Sequence, residues 1–315
     1  MIITVTLNAA IDRIIEVKNF REGEHNRGRL VRVVPAGKGV NVSRVLAQLG
    51  IQNAASGFVG SGELELYREG LSHMKGAAGI AEAFIAVAGH TRTNTTIVDP
   101  LGGRETHISE QGFSVSDAEK QSLLARLATL ISKGDFVVFS GSLPQGFSIA
   151  DLDSLLAVVK KRKAKTVIDC SDGGIVSACK TRAWAVKPNR EELSEALGTP
   201  LADLGAVAQA AKELAKKIAV VLVTLGAEGA VASDGAKTLA ASLAAPAPGA
   251  VNTVGAGDAF LAGFLAGWHH TEELEGALRT AVAAACSKVM HLGSSDVDPI
   301  FVAEYAGKVA IQLLE

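Results

Sequence analysis

Short runs of Val, Ile and Leu alternate along the chain with longer segments in which apolar residues recur every three or four positions. The runs "IITVTLN" at the start, "DFVVFSG" (135–141), "KTVIDCS" (165–171) and "AVVLVTLG" (219–226) are short and almost continuously apolar. That is the pattern of strands buried on both faces. In "GKGVNVSRVLAQLG" the residues Val42, Val45, Leu46 and Leu49 fall at i, i+3, i+4 and i+7, one face of a helix that Gly50 ends. Buried strands joined by helices predict an α/β fold: a doubly wound, mostly parallel sheet flanked by helices.

Two regions break this rhythm. Residues 13–35, including "RLVRVV", and 82–110, including "EAFIAVA" and "TRTNTTIVD", alternate polar and apolar residues with no helix between. They predict a small, half-exposed sheet projecting from the main body. "ASLAAPAPGAV" (241–251) reads as a short loop, and no repeat or linker divides the chain, so all 315 residues are expected to form one domain with that sheet attached.

Composition narrows the partners. Lys and Arg total 31 against 33 Asp and Glu, a net charge of −2, with 4% aromatic residues; without a basic stripe, nucleic acid is not expected. Cys170, Cys179 and Cys286 are odd in number and lack C-x-x-C spacing, which suggests neither a disulfide framework nor a zinc site and fits a reducing cytoplasm. "MIITVTLNAAIDR" has no basic leader, and no apolar run approaches the roughly 18 residues of a membrane span. No membrane association is expected.

The chemistry concentrates at glycine-rich turns. In "NTVGAGDAFLAGFLAG" (252–267) an acidic residue, Asp258, sits where a Gly-rich turn enters an apolar helical segment. The first turn of a helix leaves N–H groups unpaired and carries partial positive charge, so Gly255, Ala256 and Gly257 could cradle an anion. The same residues also read as a tight turn with Asp258 as a cap. Familiar phosphate motifs fail on spacing: Arg32 stands where a P-loop needs its first glycine, and Phe260 where a dinucleotide fingerprint needs its third.

Four further motifs end presumed strands or open helices. "PAGKGVN" puts Gly37 and Lys38 in a turn and Asn41 in the next helical turn, donors suited to a sugar phosphate. "VKPNREE" sets Asn189 and Glu192 three apart, on one helical face where an amide and a carboxylate can hold Mg²⁺ through water. "VTLGAEGA" carries Thr224, Gly226 and Gly229, allowing close approach of a phosphate or ribose, and "FSGSLP" ends another strand. Open α/β sheets bind ligands at such ends. His269 and His270 lack a third ligand at metal spacing and read as structural.

Together these motifs resemble, over nearly the whole chain, the ribokinase-like (PfkB-type) carbohydrate kinases. "AGKGVNVSRVLAQLG" and "NTVGAGDAFLAGF" are similar to that family's two signatures. "TLNAAID", "TRTN", "SGSLP" and "KPNREEL" resemble the branch containing 1-phosphofructokinase, tagatose-6-phosphate kinase and the minor 6-phosphofructokinase. The resemblance implies that Asp258 takes the proton of the acceptor hydroxyl, with the amides of Gly255, Ala256 and Gly257 as an anion hole. It implies an ATP role for Lys187, Asn189, Thr224, Gly226 and Gly229, and a magnesium role for Asn189 and Glu192. It gives Asp12 the sugar hydroxyls, with Gly37, Lys38, Asn41, Arg92, Arg27 and Ser140 on the substrate. The helix start is expected to keep Asp258 ionised. The small sheet would be the family's lid and a homodimer interface.

Many relatives have Gly-Gly-Lys-Gly where this chain has Ala36-Gly37-Lys38-Gly39, and Asn-Pro where it has Asn8-Ala9. The resemblance therefore implies an ATP- and Mg²⁺-dependent kinase acting on a phosphorylated ketohexose, foremost fructose 1-phosphate to fructose 1,6-bisphosphate. Tagatose 6-phosphate and fructose 6-phosphate are the alternative acceptors. A non-catalytic sugar-phosphate or nucleotide sensor is the reading from another class, against which Asp258 speaks, because a sensor needs no base.

Overall fold

The computed structural model describes residues 1–72, 78–170, 173–243 and 251–314. The strands, in chain order, are β1 (Ile2–Thr6), β2 (Ala10–Glu16), β3 (Arg29–Ala36), β4 (Asn53–Gly60), β5 (Ile80–Val87), β6 (Arg92–Asp99) and β7 (Arg104–Ser109). There follow β8 (Phe136–Ser140), β9 (Lys165–Asp169), β10 (Ala185–Val186), β11 (Val220–Thr224), β12 (Ala230–Ser233), β13 (Thr238–Leu243) and β14 (Val309–Leu314).

The main sheet has the order β14-β13-β12-β11-β10-β9-β8-β1-β4-β5. From β5 through β11 all neighbours run parallel, and β12, β13 and β14 extend the sheet antiparallel. Successive side chains feed opposite faces, as strand geometry requires. Ile3, Val137 and Val221 pack into one core with the helices Asp117–Leu130, Ile149–Lys161 and Leu204–Leu214. Their neighbours Ile2, Val138 and Leu222 pack into another, with Lys38–Gln48, Ala256–Thr271 and Leu274–Val289. The near-continuous apolar runs therefore arise because both faces of these strands are covered. Register brings the strand ends together: Thr6 pairs with Ser140, and Ser140 with Asp169.

The second sheet is β3-β2-β6-β7, with β2 and β6 parallel and the outer pairs antiparallel. It differs from the expected boundaries. The small sheet begins at Ala10, and residues 82–87 belong to β5 at the edge of the main sheet. An edge strand is covered incompletely, so its pattern of burial imitates that of a projecting sheet; Phe84 and Val87 are buried while Ala81 and Ala86 are exposed. Of the expected loop 241–251, the first three residues end β13, and 244–250 lie outside the described residues, as does Ser171 of "KTVIDCS". Among the described residues, no helix is long and apolar enough to cross a membrane.

Candidate active site

Gly255 caps the helix Ala256–Thr271 at φ 83°. A Cβ there would sit 1.8 Å from the carbonyl oxygen of Ser294, so the turn admits no side chain. This turn carries Asp258 into the interior, where it is buried and accepts a 2.8 Å hydrogen bond from Asn41 Nδ2. Burial pushes its carboxyl up to about 7, and the negative charge of Asp169 adds to the push; Asn41, Lys38 and Lys187 pull the other way. The helix start is expected to keep Asp258 ionised; desolvation and a like charge act against it and bring the group to its midpoint near neutrality. A carboxyl poised near neutrality suits a general base. Of the three expected anion-hole amides, that of Ala256 donates to Thr253 O at 3.1 Å, so an incoming anion has to compete for it.

Asp169, at the end of β9, escaped the sequence reading, since a lone Asp after a strand carries no motif. It is buried and binds Lys187 Nζ at 3.0 Å. Lys187 in turn reaches the first helical turn, its Nζ 3.5 Å from where a Cβ on Gly257 would stand. Asp169 also raises the pKa of Lys38 above its ordinary value, with Asp258 and Glu192 adding to the effect against the opposing effect of burial. Lys38 is thus coupled to the carboxylates around Asp258, whereas Arg92 is governed mainly by burial, which lowers its pKa from the ordinary value, with Asp12 acting against that. The two cations expected on the substrate sit in different electrostatic surroundings.

On one side of Asp258 lies a cavity of about 560 Å³. Its lining includes Asn189, Thr224, Gly226, Gly229, Ala256 and Gly257, together with the apolar Phe260, Val282 and Val289. Gly229, at φ 103°, stands so close to β13 that a Cβ would be 2.0 Å from Ala241 O.

Asp258 is also linked, through Asn41 and Ser294, to a cluster of polar side chains around Asp12. Asp12 accepts hydrogen bonds from Asn94 Nδ2 at 3.2 Å and from the hydroxyl of Ser294. Arg92 donates to Asn8 O at 3.2 Å, and Asn8 Nδ2 to Ser142 Oγ at 3.2 Å. Buried atoms remain without a partner among the described residues: Asn8 Oδ1, Arg92 Nε, Asn94 Oδ1 and Ser140 Oγ, with Asp169 Oδ2 by the carboxylate cluster. Unsatisfied buried polar groups are costly and call for an explanation, and a polar ligand supplies one. Ser294 lies in no motif, and the sequence assigns no role to Asn8 or Asn94 although they stand inside "TLNAAID" and "TRTN". Arg27 does not join the others: it lies exposed in the connection between β2 and β3.

Asn189 and Glu192 form a capping box at the start of the helix Arg190–Leu197. Asn189 Oδ1 accepts from Glu192 N at 2.7 Å, and Glu192 Oε2 from Asn189 N at 2.9 Å. Among the described residues, no three His, Cys, Asp or Glu side chains converge as a metal cage. The donor set, with the unpartnered Asp169 Oδ2, fits a hard cation held through water and phosphate oxygens, the usual manner for Mg²⁺.

The strand ends thus bring together a buried carboxyl at a glycine-rich helix start, a cavity and a cluster of unpaired polar groups, an arrangement suited to small polar ligands. The chain belongs to the pfkB family carbohydrate kinases, which it matches over residues 4–300. It is 34% identical to a 1-phosphofructokinase of Vibrio cholerae over 292 residues, 93% of this chain and 90% of that protein. A 1-phosphofructokinase of Bacillus subtilis is 33% identical over 285 residues, 90% of this chain and 91% of the relative. Phosphofructokinase-2 from Escherichia coli, solved in complex with substrates and products, superposes with a TM-score of 0.89 at 25% identity, covering 97% of this chain and 98% of the other.

Proposed function

We propose that this kinase transfers the γ-phosphoryl group of ATP to the free primary hydroxyl of fructose 1-phosphate, giving fructose 1,6-bisphosphate and ADP. The observation that carries the reading is the position of Asp258, a buried carboxyl near its midpoint of ionisation between the polar pocket and the 560 Å³ cavity. In this reading the sugar phosphate occupies the pocket of Asp12, Asn41, Arg92 and Ser140, where the unpartnered Arg92 Nε and Ser140 Oγ gain partners. ATP occupies the cavity at Thr224, Gly226 and Gly229, and its terminal phosphate meets the Gly255–Gly257 turn and Lys187. Asp258 takes the hydroxyl proton as the new O–P bond forms and the bond from the γ-phosphorus to the bridging oxygen of ADP breaks. The turn's amides and Lys187 neutralise charge on the group in flight, the main contribution a protein makes to phosphoryl transfer. Magnesium, when bound near Asn189 and Glu192, supplies further neutralisation of phosphate charge.

The 1-phosphofructokinase relatives support the acceptor, as does the basic Arg92 in a pocket otherwise rich in amides and hydroxyls. Initial rates of ADP release with fructose 1-phosphate, fructose 6-phosphate, tagatose 6-phosphate and free fructose test it. Preference for fructose 1-phosphate is expected, and preference for the free sugar would refute the phosphosugar assignment. The small sheet, in this reading, is the lid over the acceptor, and its exposed Leu30, Val31, Val33 and Ile108 support a homodimer through it. Sedimentation at micromolar concentration is expected to give the dimer, and a monomer would remove that interface.

A further inference from the structure

Lys288 sits in the last turn of the helix Leu274–Val289 and is 0% exposed. A buried ammonium ordinarily has a carboxylate partner. Here the acidic groups that act on it, Asp296, Glu105, Asp258 and Asp12, do so without a hydrogen bond. Nζ donates instead to two backbone carbonyls, Asn252 O at 2.8 Å and His291 O at 3.3 Å. Asn252 opens the turn that leads to Gly255–Gly257, and His291 opens the segment that carries Ser294. The same two segments are tied by Val251 N to Val289 O, 2.7 Å, and by Asn252 Nδ2 to Leu292 O, 2.7 Å. Ser294 O then presses against Gly255, and its hydroxyl reaches Asp12. A buried charge is costly, and an apolar side chain of similar length would fill the space at lower cost. Its presence at this junction calls for a role that needs the charge.

We propose that Lys288 is a positioning residue whose ammonium acts as an internal cation for the phosphoryl-transfer site. Backbone carbonyls hold it as such oxygens hold an alkali cation. It pins the turn 252–257 to the segment 289–294 and places a fixed positive charge behind the anion hole. The inference rests on the kinase reading above. Burial lowers the pKa of Lys288 to about 8, which leaves the group mostly protonated at neutral pH.

The test compares wild type, Lys288→Ala and Lys288→Met in tetramethylammonium buffer with and without added potassium or ammonium. The alanine variant leaves a space between the carbonyls that a small cation can enter, and the methionine variant fills it. Turnover of Lys288→Ala is expected to fall about 10- to 100-fold, less than loss of a direct oxyanion-hole donor. The Michaelis constant for the sugar phosphate should stay near its wild-type value. Potassium or ammonium should restore most of the loss in Lys288→Ala, little of it in Lys288→Met, and leave wild type unchanged. Thermal unfolding supplies a readout that needs no turnover: the same cations should raise the midpoint of Lys288→Ala and not that of wild type. A Lys288→Ala enzyme as fast as wild type without added cation, or a loss that no cation restores, would overturn the proposal. If neither variant folds, the wild type decides: cation insensitivity agrees with a built-in charge, and marked potassium stimulation refutes it. A wild type inactive on every acceptor would refute the kinase reading instead, and the unfolding midpoints would still judge Lys288.

Discussion

The cavity assigned to ATP and the pocket assigned to the acceptor meet at Asp258 but are built from different materials. The cavity is largely backbone and apolar surface: Gly226, Gly229, Ala256 and Gly257 let a ligand approach the main chain, and Phe260 and Val282 supply a greasy wall. The pocket is made of side chains, with Asn8, Arg92, Asn94 and Ser140 each keeping a buried polar atom unpaired. A backbone cradle accepts any ligand with phosphates and a flat apolar ring. A set of waiting donors and acceptors discriminates, because a ligand that leaves them unpaired forfeits their desolvation cost. On the proposed assignment, substrate choice resides in the acceptor pocket and the shared chemistry at the seam.

The largest effect is expected at that seam. Asp258→Asn should lower turnover by about 10² to 10⁴, the range for removing a positioned base, while both Michaelis constants stay close to wild type. The same variant should be more stable than wild type at pH 8. The folded pKa of about 7 lies above the ordinary 3.8, so the stability this group contributes is greatest at low pH and is lost as pH rises through the folded value. Urea midpoints at pH 8 and pH 4 check the sign: the gain should be present at pH 8 and nearly absent at pH 4.

A smaller effect should separate the two halves. Arg92→Ala removes a charge-assisted contact and should weaken apparent affinity for the sugar phosphate by roughly 10- to 150-fold, leaving the Michaelis constant for ATP within about a factor of two. Equal weakening of both substrates would mean that the halves do not divide the work. The smallest effect is expected on the cavity side. Glu192→Gln should raise the magnesium concentration for half-maximal rate by about tenfold. Gln keeps an acceptor for the Asn189 amide, so the capping box and the urea midpoint should stay near wild type. An unchanged magnesium titration would leave Glu192 as a cap alone.

The same contrast governs what the sequence disclosed. The cavity was legible because its parts are contiguous motifs: the "VTLGAEGA" and "VGAGDAF" turns each put glycines at a strand end or helix start. The β-branched strands and the helix Lys38–Gln48 were legible for the same reason, since their signals are local. The pocket was only partly legible. Arg92 and Asn8 lie 84 residues apart and meet through β-sheet pairing, and Asp169 and Ser294 carry no local signature. The antiparallel strands β12 and β13, "AVAS" and "TLAASL", have too few β-branched residues to announce themselves. Asn189 and Glu192 show the opposite case. Their N-x-x-E spacing, read in the sequence as a metal-holding face, is also that of a capping box, and the hydrogen bonds form one. The upward pull on Asp258 is not legible in sequence, because the helix start is local whereas burial and the neighbouring Asp169 are products of the fold.

The central claim is that Asp258 must lose its proton before it can accept one from the sugar hydroxyl, and that it does so near neutrality. The pH dependence of kcat/KM for fructose 1-phosphate in the wild type measures this directly. The account predicts a tenfold fall per pH unit on the acid side, with a midpoint near the 7 set by burial and Asp169, and a separate decline on the alkaline side as Lys288 loses its proton near about 8. The acceptor's own phosphate ionises near about 6, a separable position. A rate that holds level down to pH 6, or an acid limb that begins only there, would contradict the assignment of Asp258 as a base poised by its surroundings.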